Sequence, residues 1–186
     1  MTKQDAREQA RAILAFWFEE CAPEQHFGKD DTLDTEIVRR FSGLRDAVLS
    51  EEAAGWRDDP ETLLAAVILL DQFSRNIHRG EAEAFAADPL ALDLTQRAIE
   101  RGWDKALPPD RRAFLYMPLM HSERADMQAQ SLKRFAEPGL EQSLDFARQH
   151  ASVITEFGRF PGRNAALGRE STPAESAWLS RSAVDW

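Results

Sequence analysis

The chain has 186 residues, 43% of them apolar, enough for one domain with a buried core over 1–186. Its 32 acidic side chains outnumber 23 basic ones, and the formal net charge of -9 disfavours nucleic-acid phosphate as a partner. A lone Cys21 excludes an internal disulfide framework and suits a reducing cytoplasm, and the longest apolar run, Leu63 to Leu70, is too short to span a bilayer. The charged start through Arg11 does not look like a signal peptide, so a cytoplasmic location without a membrane partner is expected.

Helix signals then succeed one another with few competing strand signals. Thr2 with Asp5 forms a capping-box-like pair ahead of Ile13, Leu14, Phe16 and Trp17. After a loop containing Pro23 and Gly28, Asp31 is expected to cap a second helix carrying Ile37, Val38, Phe41, Leu44, Val48 and Leu49 on one face. Asp59 and Pro60 open a third helix, which Gly80 ends. Asp88 and Pro89 repeat that start for a helix running towards Gly102.

Pro118 predicts a kink or a fresh start, and then a helix reaching Phe135. Pro138 and Gly139 precede a helix ending near Phe157, and a Thr172 to Glu175 capping box starts a last short helix with Trp178 and Leu179. The expected fold is all-α, with about seven or eight helices packed as antiparallel pairs. There is no 34-residue repeat signature.

Several polar residues fall where apolar ones are expected. Asp71 interrupts the stripe Leu64, Val67, Ile68, Asp71, Arg75 and His78. A buried carboxylate needs a partner; Arg75 lies one turn on, with Arg79 beside it. The stripe Phe146, His150, Val153 and Phe157 points His150 inward. His121 shares a helical face with Ala125, Gln128 and Leu132, and Glu123 lies between Met120 and Met127. Glu123, His121 and His150 are candidates for proton transfer, or else hydrogen-bonded structural groups.

Of the 23 cations 19 are arginine, and Arg159, Arg163 and Arg169 crowd into one glycine-containing loop with Asn164. Arginine forks bind planar or tetrahedral anions and Asn164 can donate or accept, so the loop suits anion recognition; equally, its arginines could neutralise Asp71 and Glu123.

These segments carry a family resemblance. Leu70-Asp71-Gln72-Phe73 with Arg75-Asn76 and Arg79-Gly80, then Phe85 and Asp88, resemble a hallmark of the bacterial family called domain of unknown function nine hundred and twenty-four. So do Phe114 through Glu123, His150 with Phe157 through Pro161, and Arg163-Asn164 through Arg169. The resemblance implies an all-helical, tetratricopeptide-like fold, and brings no activity or catalytic residue with it. Gly162 departs from the family pattern, which usually has histidine there, so chemistry using that histidine would be missing here.

Two functions compete. In the first, a small anionic ligand is held by Asp71, Arg75, Arg79, Arg159, Arg163, Asn164 and Arg169, with His121, Glu123 or His150 moving protons. In the second, helix pairs present a groove to a protein or peptide while the polar cluster is purely structural. No cofactor is expected, and no metal, since His121 and Glu123 lack a helical zinc spacing.

Overall fold

The computed structural model describes residues 2–26 and 28–182; the expected domain over 1–186 and the loop after Pro23 also take in Met1, Phe27 and 183–186, outside the described residues. Helix α1 (Lys3–Ala15) carries the Thr2–Asp5 capping box and runs on into a π turn, Phe16–Glu20. Asp30, one residue before the expected cap, accepts from the Thr32 and Leu33 amides at the head of α2 (Asp31–Ser50). Asp59 does the same for α3 (Pro60–Ile68), which continues through a second π turn, Leu69–Phe73, into α4 (Ser74–Ile77) as one rod.

The chain goes on with α5 (Asp88–Glu100), α6 (Pro109–Met120), α7 (Ala125–Phe135), α8 (Glu141–Phe157) and α9 (Pro173–Leu179). With α3 and α4 taken as one rod, the described residues hold eight helices and no strand. They pack as helix pairs: α7 with α8, α6 with α7, α1 with α3, α2 with α4. Helix α3 touches α1, α5 and α6, and this explains its composition. Leu63 through Leu70 are all at most 1% exposed, as a rod that is apolar all round must be.

Three local expectations are corrected. Pro118 does not restart the chain, because α6 passes through it and ends at Met120. Only one backbone donor is lost there, near the end of the helix, where the remaining bonds are few. The break falls at 121–124 instead, so His121 and Glu123 sit in a turn and not on a helical face. Phe146 is 44% exposed, so the inward stripe of α8 is Ala147, His150, Val153 and Ile154. The left-handed cap at Gly158, φ 70°, then turns the chain into the arginine loop.

Candidate functional site

The second π turn places the site's central acid. An extra residue in a helical turn rotates the side chains beyond it about the axis, and here Asp71, Gln72 and Phe73 are all buried. Phe73 anchors the turn on Phe16, Trp17 and Phe41, with ring centroids at 5.8, 5.3 and 5.0 Å. Asp71 is therefore held at 1% exposure by a packed aromatic neighbour, not by its own affinity for the interior.

His121 meets it from the end of α6. Gln128 clamps the intervening turn by donating to the carbonyls of Met120 and Ser122 at 2.7 and 2.6 Å. His121 Nδ1 then lies 2.8 and 3.0 Å from the two Asp71 oxygens. An ionised carboxylate only accepts, so Nδ1 carries the proton and Nε2 presents a lone pair. Among the described residues no hydrogen bond engages that Nε2.

Burial raises the Asp71 carboxyl, but Arg75 and His121 outweigh it and keep Asp71 ionised below the usual carboxylate range. Burial lowers the His121 ring, and the repulsion from Arg75 adds to it, so the pull of Asp71 does not bring the ring back to its ordinary value. The resting dyad is a charged acid and a neutral imidazole.

Two guanidiniums complete the cluster. Arg75 Nη1 donates to the Asp71 carbonyl at 2.7 Å and to its Oδ1 at 3.3 Å. Both its terminal nitrogens grip Asp88, each at 3.0 Å. Arg163, 5% exposed, donates to the His121 carbonyl at 2.8 Å and to Asp88 at 3.3 Å, and sits between the rings of Phe85 and Phe160 at 4.7 and 4.5 Å. Burial, then the neighbouring Arg75, lower its pKa to about 10. His150 stands beside His121, ring centroids 5.8 Å apart, with Nδ1 donating to the Phe146 carbonyl at 2.8 Å. Burial, then His121, push His150 down to about 3.

The structure thus brings together Asp71, Arg75, His121, His150 and Arg163, and adds Asp88. In sequence Asp88 reads as a helix cap; in the fold Ala87 occupies that position and the carboxylate serves the arginines. The other candidates are engaged elsewhere. Arg79 forks onto Asp34 at 2.8 and 2.9 Å, Arg169 onto Glu123 at 2.8 and 2.9 Å, and Arg159 onto Glu175 at 2.6 and 2.8 Å. Asn164 donates to Ser171 at 3.1 Å. Glu123 also accepts from the Phe160 amide at 2.8 Å, so three donors converge on it. A groove elsewhere, lined by Arg7, Ala10, Arg11, Asp59, Glu61 and Thr62, shares no residue with the cluster. Among the described residues no group of three His, Cys, Asp or Glu side chains could hold a metal ion.

This architecture is shared. The model of a bacterial protein of unknown function family (DUF924) matches residues 13–183. The chain belongs to that family. A solved structure of a protein of unknown function from Agrobacterium tumefaciens has the same fold, with a TM-score of 0.89 and 37% identity over 95% of this chain and 99% of that one. No curated protein matches the chain. The DUF924 chain described here has no helix, among its described residues, long and apolar enough to cross a membrane.

Proposed function

We propose that the Asp71–His121 cluster binds a small anionic ligand, with Arg75 facing its acidic group and His121 Nε2 accepting a hydrogen bond from it. One observation carries this reading: His121 is fixed by Asp71 through one ring nitrogen while the other has no partner among the described residues, beside two guanidiniums. Arg75 is the accessible cation, its side chain 22% exposed, next to Asp88 at 19% and His121 at 13%. Arg163 positions His121 and Asp88 from behind. Arg159, Arg169 and Arg79 hold the fold around the site, and Asn164 ties its loop to Ser171. If the ligand exchanges a proton, His121 is the carrier, because Glu123 is committed to three donors.

Thermal unfolding with sulfate, phosphate and small carboxylates at matched ionic strength tests the proposal. At a ligand concentration 100 times Kd the wild type gains about 2.7 kcal/mol. Arg75→Lys keeps the charge and removes the fork, and we expect it to lose that gain while retaining helicity. Stabilisation of the wild type by none of these anions sinks the reading.

We place the ligand reading ahead of a protein-interaction module. Among the described residues the exposed large apolar side chains, Val38 on α2, Phe146 on α8 and Leu167 in the loop before α9, are single residues on separate segments and form no row along one helix. The tetratricopeptide-like superfamily is supported by helix pairing, a single domain over 1–186 by the shared core from α1 to α8, and a cytoplasmic location by the lone Cys21.

A further inference from the structure

We infer that the cluster takes up its anion together with one proton, received on His121 Nε2, so that its ligands are small acids bound as an anion plus a proton. The inference rests on the anion-binding reading above and concerns what that binding requires. The charges facing His121 come from every element around it: Asp71 on the π turn, Arg75 on α4, Asp88 on α5, and Arg163 in the turn after α8, with the neutral His150 ring on α8 itself. Two arginines balance two carboxylates. With a neutral imidazole the cluster has no surplus positive charge.

Bringing an anion to a balanced, mostly buried cluster adds an uncompensated charge, which is costly in proportion to burial. A compensating cation has one source here. Asp71 and Asp88 are engaged by the guanidiniums, and both guanidiniums already carry their charge. His121 is the cluster's imidazole at the partly exposed edge, with a ring nitrogen that no hydrogen bond from a described residue engages. Protonated at Nε2, it turns from acceptor to donor towards the anion, and Nδ1 keeps its bond to Asp71. The proton comes from solvent or from the ligand's own acid group, so the balance closes without another reactant. Binding and protonation then favour each other reciprocally.

Sulfate is the decisive probe, since it does not titrate near neutral pH. Calorimetric titration of the full chain in two buffers of equal pH and ionic strength but different ionisation enthalpy counts the protons taken up. The wild type should take up about one proton per sulfate, and its affinity should rise up to tenfold for each unit the pH falls while free His121 is neutral. His121→Asn keeps a side-chain N–H for Asp71 and removes the Nε2 position; any sulfate it binds should bind without proton uptake.

Asp88→Asn, at a half-open position, gives the cluster a surplus positive charge with His121 neutral, so it too should bind sulfate without uptake. It keeps the test alive if His121→Asn does not fold. Sulfate binding to the wild type with no proton uptake overturns the inference and leaves the anion site standing. Uptake that persists in His121→Asn overturns the assignment to this ring, and absence of sulfate binding by the wild type overturns both readings.

Discussion

The Asp71 cluster and the clasp around the arginine loop use the same chemistry for different ends. In the clasp each acid takes three donors: Glu123 takes the Arg169 fork and the Phe160 amide, and Glu175 takes the Arg159 fork and the Thr172 amide. Arg169 and Glu123 hold the chain between α8 and α9 against the turn after α6, and Arg159 and Glu175 hold the same chain to α9. The Asp71 cluster includes an equally well-held acid but ends in an imidazole with one nitrogen that no described residue engages. Paired charge alone is architecture; a fixed acceptor at a partly open edge is what a ligand can use.

The largest expected effect is at the centre of that cluster. Asp71→Ala removes the partner of His121 and one of the two acids facing Arg75, leaving a surplus cation in the interior. Breaking a buried pair in this way costs about 3–5 kcal/mol, to be measured as the shift in denaturant midpoint at unchanged slope. A loss no larger than that of an exposed ion pair would mean that Asp71 does not organise the site.

Acid should also separate the two regions. His150, beside the dyad, has its folded-state pKa pushed by burial from 6.5 to about 3. The unfolded chain therefore takes the proton first as pH falls, so this contribution is intact above about 6.5 and is lost progressively towards about 3. The slope is up to about 1.4 kcal/mol per pH unit for one proton. His150→Gln should flatten the stability profile in that window, and an unchanged slope would show that the ring is already charged in the folded state.

How far these regions are legible in the sequence differs for a physical reason. Helix starts depend on local donors and acceptors, so Thr2, Asp59 and Thr172 announce their caps, whereas the burial of Leu63 to Leu70 on all sides of the rod follows from its packing against α1, α5 and α6. Asp71 is visible as a polar break in that rod. Its partner is not, because the Asp71–His121 contact spans 50 residues and depends on how α6 ends. Proline at 118 suggests the wrong break, and the real turn at 121–124 is held by Gln128, which local periodicity reads as one more helical position.

Arginine density misleads in a similar way. Three arginines in one loop look like a single binding surface, but Arg159, Arg163 and Arg169 diverge to Glu175, Asp88 and Glu123. Asp88 is hidden by its proline: Asp-Pro is a common helix start, so its carboxylate reads as serving the backbone when it serves Arg75 and Arg163.

The smallest expected effect is the sharpest check on the comparison. Arg169→Ala removes a fork whose two partners are partly exposed, 23% and 29%, so water recovers much of the lost interaction and the cost should be about 1 kcal/mol. Glu123 still accepts the Phe160 amide, so the turn bearing Glu123 and His121 keeps one of its ties to the loop. No hydrogen bond of Arg169 reaches Asp71, Arg75 or His121. The variant should therefore melt slightly earlier than the wild type and show the same sulfate-induced rise in melting temperature. Loss of that rise with helicity intact would make Arg169 part of the anion site, and the division between clasp and ligand cluster would have to be abandoned.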